Sequence, residues 1–157
     1  MKTQQISPEK YIVTRVRSLP LAECYVNSRW NDCGMAQIIV CRKHVTGNIT
    51  AGFYLIDTYA LGVKDSLYKF NLSTKDFGEI LDSIRDKYVE INEEEFIETT
   101  YTIAHNIIYG AIAFAEEYGY KPCREFQITR HILEEDTDEI ELIEFEFGKD
   151  GKPFLML

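Results

Sequence analysis

YTIAHNIIYGAIAFA, residues 101–115, is the segment around which the rest of the chain has to be arranged. Its period and composition predict a helix, and apolar side chains lie on nearly all of its sides. A helix of this kind must be buried, because a surface helix keeps one polar face. We expect the helix to run from about Glu95 to Tyr118, with Gly119 as its C-terminal cap.

Segments typical of β-strands precede this helix. Met35–His44 and Asn48–Tyr59 are rich in β-branched and aromatic residues and flank a Thr46-Gly47-Asn48 turn, which predicts a hairpin. Both are apolar on both faces along much of their length, so we expect them in the middle of a sheet. Two further strands are predicted at Ala22–Asn27 and Ser66–Leu72, and an irregular loop at Ser28–Gly34.

Shorter helices are predicted by their caps. Ser7-Pro8-Glu9 begins one helix that ends near Arg17, and Ser73-Thr74 begins another that continues through Tyr88. Arg124–Leu133 is predicted to be a further short helix.

The C-terminal segment alternates apolar and acidic residues. Ile140–Phe147 reads IELIEFEF, a turn follows, and Pro153–Leu157 returns. This pattern predicts an antiparallel hairpin at the sheet edge, where outward carboxylates would discourage pairing with other chains. The carboxylates are those of Glu141, Glu144 and Glu146.

The fold class that follows is α+β, with residues 1–157 as a single domain. We expect a mainly antiparallel sheet packed against a long buried helix and two or three shorter helices. The 157 residues are 45% hydrophobic and 13% aromatic, which excludes a disordered chain.

We expect a cytoplasmic protein without a cofactor. The N-terminal MKTQQISPEKY lacks the apolar core of a secretory signal, and the longest apolar run, Ile107–Ala115, is far too short to span a membrane. The spacing of Cys24, Cys33, Cys41 and Cys123 matches no zinc site, so no metal is predicted and the four cysteines are expected to be small buried side chains.

The charge is unevenly distributed. Residues 1–70 carry nine Lys or Arg against five Asp or Glu, whereas residues 71–157 carry eight against twenty-one. The first half could therefore present a modest basic face to nucleic acid, although nucleic-acid binders usually concentrate more positive charge, and binding is not expected. The residues for such a face would be Arg15, Arg17, Arg42 and Lys43.

His105 is the most informative single residue. Tyr101 and Tyr109 lie four positions to either side of it and share its helix face, and Asn106 lies beside them. Buried polar groups need partners, so His105 is either a core residue hydrogen-bonded to a strand carbonyl or an imidazole at the floor of a pocket, usable as base or metal ligand.

A row of small or short polar side chains follows the same helix at spacings of three and four. A glycine inside a helix costs about 1 kcal/mol relative to alanine, so Gly110 indicates close approach by another backbone. Packing of the helix on the sheet would explain it, and a ligand or partner chain against the row is the alternative. The row consists of Thr99, Thr102, Asn106, Gly110 and Ala113.

A second group of polar residues lies at predicted strand ends. Asp57, Lys64 and Asp65 flank a short apolar turn, and carboxylates beside a lysine can hold a divalent cation and a phosphate. The alternative is that the aspartates cap turns. Lys43 and His44 close the preceding strand and could join Asp57.

Three stretches of the chain resemble an uncharacterised bacterial domain family that in some longer proteins is accompanied by a C-terminal SEC-C zinc motif. They are Gly47–Tyr68, Ala104–Pro122 and Glu146–Phe154, supported by the earlier SLPLAECYVNSRW. The resemblance implies a bacterial, cytoplasmic origin and no catalytic residue. Ala60 stands where the family has a cysteine, and the sequence ends at Leu157 without zinc-binding cysteines.

The leading hypothesis is a non-enzymatic binding or interaction domain, with a protein partner or a second copy of the chain as the possible partner. No cluster of nucleophile, base or metal ligands stands out, which favours this class. Its contact surface would comprise Tyr101, His105, Asn106, Tyr109, Lys43 and His44.

The first alternative is a small metal-dependent hydrolase or nuclease. His105 would act as base, Asp57 and Asp65 would hold the ion, and a lysine would contact phosphate, either Lys43 or Lys64. The second alternative is a nucleic-acid-binding protein that uses the basic N-terminal half.

Overall fold

A five-stranded antiparallel sheet is the framework of the computed structural model, which describes residues 6–155. The strand order is β4-β3-β2-β1-β5, so β4 and β5 form the two edges. The strands are β1 (Leu21–Asn27), β2 (Met35–Lys43), β3 (Ile49–Asp57), β4 (Gly62–Leu72) and β5 (Phe96–Thr99). The predicted β2–β3 hairpin is confirmed, with Lys43 opposite Ile49 beside the turn.

Helices cover both faces of the sheet. They are α1 (Pro8–Thr14), α2 (Trp30–Cys33), α3 (Thr74–Asn92), α4 (Tyr101–Glu117) and α5 (Phe126–Thr129), with 3-10 turns at Val16–Ser18 and Arg130–Ile132. Ser7 and Ser73 cap α1 and α3 as predicted, since each side chain accepts a backbone N–H three residues later. The predicted α+β class is confirmed.

The two central strands are buried on both faces, as their continuous apolar sequence predicts. On one face, Ile38, Val40 and Ile56 pack in a cluster with Ile107 and Ile108 of α4. On the opposite face, residues of β2 and β3 pack with α3 in a second cluster, which includes Ile39, Phe53, Phe77 and Leu81. The sheet therefore separates two cores, and α4 belongs to the larger one.

The long helix is shorter than predicted. Residues Phe96–Thr99, expected in its first turns, form strand β5 and pair with β1, and Thr100 caps α4 through its hydroxyl. Phe96 is buried against Tyr25 and Tyr88, which satisfies its apolar side chain better than an exposed helix start would. The predicted irregular loop Ser28–Gly34 likewise contains one helical turn, α2, which buries Trp30.

The predicted C-terminal hairpin at the sheet edge is wrong. Residues 141–147 adopt no regular structure, and a single bridge joins Lys149 to Lys152. The segment 141–155, here called the C-terminal strap, crosses α4 instead of extending the sheet. Met156 and Leu157 of the predicted return strand lie outside the described residues.

The predicted helix at Arg124–Leu133 is present as α5 followed by a 3-10 turn, which together cover Phe126–Ile132. Within residues 6–155, no helix has the length and apolar character needed to cross a bilayer.

Candidate functional site

His105 lies on the buried face of α4 and is 1% exposed. Its Nδ1 is 2.7 Å from the Tyr101 hydroxyl, and its Nε2 is 3.0 Å from Oδ1 of Asp136. The Tyr109 ring packs against the imidazole with centroids 4.6 Å apart. Both ring nitrogens are therefore used inside the protein, by a tyrosine and a carboxylate rather than by a strand carbonyl.

Asn106 binds the C-terminal strap. Its amide nitrogen donates to the carbonyl of Glu141 at 2.8 Å, and its Oδ1 accepts the backbone N–H of Ile143 at 3.0 Å. One turn further along, a Cβ on Gly110 would lie 2.6 Å from the Phe147 ring. The row of small residues on α4 thus receives another part of the same chain, and Gly110 is approached by a side chain rather than by a backbone.

Two arginines from the basic half bind the segment that carries Asp136. Arg42 is 1% exposed and donates to the carbonyls of Ile132 and Leu19 at 2.7 Å, with Glu134 at 3.1 Å. Arg17 donates to the carbonyl of Leu133 at 2.8 Å and pairs with Glu135. Both arginines are used internally, so they do not form a basic surface with Arg15 and Lys43.

The strand-end residues do not gather around His105. Asp57 is buried and its Oδ1 accepts the backbone N–H groups of Tyr59 and Ala60, which makes it a turn cap. Asp65 accepts the N–H of Ser66, and Lys64 is exposed. None of these side chains is a hydrogen-bond partner of His105.

The turn between β2 and β3 is also kept apart from Asp57. Nε2 of His44 lies 2.7 Å from the Thr50 hydroxyl, and burial lowers the pKa of His44. Lys43 is exposed and lies opposite Ile49, whereas Asp57 lies opposite Met35 at the other end of β3. The predicted association of Lys43 or His44 with Asp57 is wrong, because the hairpin register separates them by the full length of the strand.

One group of described residues has the donor atoms for a metal. A carboxylate oxygen of Asp65, the thiol of Cys123 and a carboxylate oxygen of Glu125 lie within 4.8 Å of one another. Both carboxylates are exposed, and the thiol is 3.7 Å from the Ser66 hydroxyl. This group does not include His105.

A cavity of about 600 Å³ lies between the second half of α4 and residues 119–130, and we call it the α4 cavity. Its apolar wall consists of Tyr109, Ile112, Tyr120, Pro122 and Phe126. Volumes of about 300–1,000 Å³ with mostly apolar walls are typical of small-molecule sites.

Residues 119–130 form the second wall of the α4 cavity, opposite α4, and hydrogen bonds hold them in place. The N–H groups of Tyr120 and Cys123 donate to the carbonyls of Ala115 and Val63, each at 3.0 Å. Further along, the Tyr54 hydroxyl donates to the carbonyl of Thr129 at 2.7 Å. The wall is therefore joined to both α4 and the sheet, which makes the cavity preformed.

The polar residues of the α4 cavity are mostly cationic or neutral. Lys121 and Arg130 are exposed, and neither forms an ion pair within residues 6–155. Glu116 contributes a carboxylate and Gln127 an amide. Burial raises the pKa of Tyr109, and nearby arginines offset part of that rise, so its phenol is neutral near pH 7 and can donate a hydrogen bond.

Of the residues predicted for the site, Tyr109 alone lines the α4 cavity. Tyr101, His105 and Asn106 are buried or half-buried and bind other segments of the chain. The sequence pattern does not predict the second wall, because Gly119-Tyr120-Lys121-Pro122 indicates only the end of a helix. The aromatic and cationic side chains beside those helix-breaking residues were the available signal.

No family model, curated protein sequence or solved structure matches the chain. The resemblance to the bacterial domain family therefore stays a prediction.

Proposed function

We propose that this protein is a cytoplasmic, non-enzymatic binding domain and that its ligand site is the α4 cavity. The observation that carries the proposal is a preformed cavity of about 600 Å³ with an aromatic wall beside two cations that lack an ion-pair partner among the described residues. Such a combination of apolar surface and few polar groups is what small-molecule sites require.

The lining indicates the chemical class of the ligand. The rings of Tyr109 and Phe126 lie 6.3 Å apart in an edge arrangement and offer aromatic surface to a flat apolar body. Arg130 can bind a carboxylate through two parallel hydrogen bonds, and Lys121 adds a second positive charge. A small aromatic carboxylate combines these features.

Support for binding over hydrolysis comes from how the candidate catalytic groups are used. His105 has a partner on each ring nitrogen, and Asp57 caps a turn. A general base needs a nitrogen within reach of the proton that it removes. His105 is 1% exposed and is not among the residues that line the α4 cavity.

Support for a small ligand over nucleic acid comes from the charges. Arg42 is buried, and Arg17 forms an ion pair with Glu135, so the basic half offers few phosphate contacts. The chain has a net charge of −9, which repels a polyanion over most of the surface.

The proposal is tested by titrating the isotope-labelled protein with phenylacetate and naphthoate while recording its amide correlation spectrum. The uncharged amides of the same two acids serve as matched controls. We expect saturable shifts concentrated in residues 109–130, with the acids binding more tightly than the amides. Shifts that are absent at millimolar acid, or that are scattered over the surface, would contradict the proposal.

A further inference from the structure

Strand β4 is an open edge of the sheet. It pairs with β3 on one side, and the C-terminal strap does not cover the other side. Among the described residues, the backbone groups of residues 67–70 form no hydrogen bond outside that pairing. Leu67, the first residue of this open stretch, is 48% exposed. The opposite edge, β5, has four residues, whereas β4 has eleven.

The exposed side chains of β4 have a self-complementary order. Asp65, Leu67 and Lys69 occupy alternate positions, so they share one face of the sheet, and all three are exposed. A negative and a positive charge thus lie at equal distances on either side of an apolar residue. Neither charge has an ion-pair partner within residues 6–155.

We propose that β4 pairs with β4 of a second copy of this chain, antiparallel and centred on Leu67. This inference is independent of the ligand proposed for the α4 cavity. The two-fold axis places Asp65 of each copy opposite Lys69 of the other, and Leu67 opposite itself. Parallel pairing would place like charges side by side, and a register shifted by two residues would separate the opposite charges.

The surroundings of the strand define the length of the pairing. The carbonyl of Val63 already accepts the N–H of Cys123, and Oδ1 of Asp65 accepts the N–H of Ser66. The new ladder therefore extends from about Asp65 to Lys69, and the N–H of Ser66 has to leave the Asp65 carboxylate to join it. A carboxylate oxygen of Glu125 lies within 4.8 Å of one from Asp65 and provides a second negative group for Lys69 of the other copy. Because the interface is small, the dimer is expected to be weak and reversible.

The test is sedimentation equilibrium of the full chain over a range of concentrations, with charge reversals in β4. Lys69→Glu and Asp65→Lys each place like charges opposite one another at two symmetric positions. We expect each to raise the dimer dissociation constant about tenfold or more. The double variant Asp65→Lys/Lys69→Glu recreates both opposite-charge pairs and should return the dissociation constant close to that of the wild type.

Lys64→Glu is the matched control, because it changes the net charge as Lys69→Glu does on the same strand. It should leave dimerisation nearly unchanged, since the proposed register gives Lys64 no charged partner. The proposal is overturned by a wild type that stays monomeric at all concentrations, by equal effects of Lys64→Glu and Lys69→Glu, or by a double variant that dimerises no better than the single variants.

Discussion

The Tyr101 hydroxyl joins His105 to the segment that precedes the C-terminal strap. Its oxygen accepts the backbone N–H of Glu134 at 2.7 Å and lies 2.7 Å from Nδ1 of the imidazole. Nε2 of the same ring lies 3.0 Å from Oδ1 of Asp136. This chain of hydrogen bonds therefore connects α4 to residues 134 and 136.

Removal of the Tyr101 hydroxyl should destabilise the fold. Tyr101→Phe takes away the hydrogen-bond partner of His105 Nδ1 and the acceptor for the N–H of Glu134, and we expect a loss of about 2 kcal/mol in the free energy of unfolding. Urea denaturation measures the change. Tyr118→Phe is the control, because that tyrosine is 45% exposed. Equal midpoints for the two variants would show that the hydrogen-bonded chain contributes nothing to stability.

Arg42 should contribute to the fold rather than to nucleic-acid binding. Arg42→Met leaves the buried carbonyls of Ile132 and Leu19 without a hydrogen-bond donor. We therefore expect the free energy of unfolding to fall by about 3 kcal/mol. The measurement is the denaturant midpoint, with the exposed Arg15→Met as control. An Arg42 variant as stable as the Arg15 variant would refute this role.

Gly110 and Gly78 should respond differently to alanine. A Cβ on Gly78 in α3 meets nothing within 4 Å, so Gly78→Ala should stabilise the protein by about 1 kcal/mol. At Gly110 the added methyl group displaces the Phe147 ring, so Gly110→Ala should lose most of the stabilisation that alanine provides in a helix.

Amide hydrogen exchange distinguishes the two glycine variants. Ile143 and Gly148 of the C-terminal strap should exchange faster in Gly110→Ala and at the wild-type rate in Gly78→Ala. If Gly110→Ala stabilised the protein as much as Gly78→Ala and left the strap amides unchanged, Phe147 would not be packed against the helix as described.

Stability should decline at alkaline pH. Burial raises the pKa of Cys24 from 9.0 to about 11, so the unfolded chain releases this proton first. The contribution of the neutral thiol is present below pH 9 and is lost as the pH rises toward about 11. Denaturant midpoints measured across this range should fall, and they should fall less steeply in Cys24→Ala. If Cys24→Ala showed the same pH dependence as the wild type, Cys24 would be excluded as a source of the alkaline loss of stability.

The predictable part of the fold was the part specified by local patterns. Thr46-Gly47-Asn48 between two apolar runs specified the hairpin, and the apolar segment at Ile107 specified a buried helix. The alternation in Ile140–Phe147 wrongly predicted an edge strand, although Phe145 and Phe147 are half-buried and the glutamates are exposed. Alternation does not specify which surface the apolar side chains pack against. In this protein that surface is α4 and not the sheet.

The candidate site was harder to predict because burial and partners depend on tertiary contacts. The sequence showed that His105 needs partners, but Asp136 is thirty-one residues away and lies in an irregular segment. The α4 cavity likewise forms between a helix and the chain that follows it, and no spacing within α4 indicates the second wall. Tyr109 was found because it shares the face of His105.

The affinity of the α4 cavity for naphthoate in an Arg130→Gln variant is the measurement that bears on the proposed function. The variant removes a cation whose side chain forms no ion pair within the described residues, so the fold is expected to be unchanged. We expect the dissociation constant for naphthoate to rise about tenfold and that for naphthamide to stay the same. Arg124→Gln, an exposed arginine that is not among the lining residues, should bind both compounds like the wild type. Naphthoate bound as tightly by Arg130→Gln as by the wild type would contradict the proposed site.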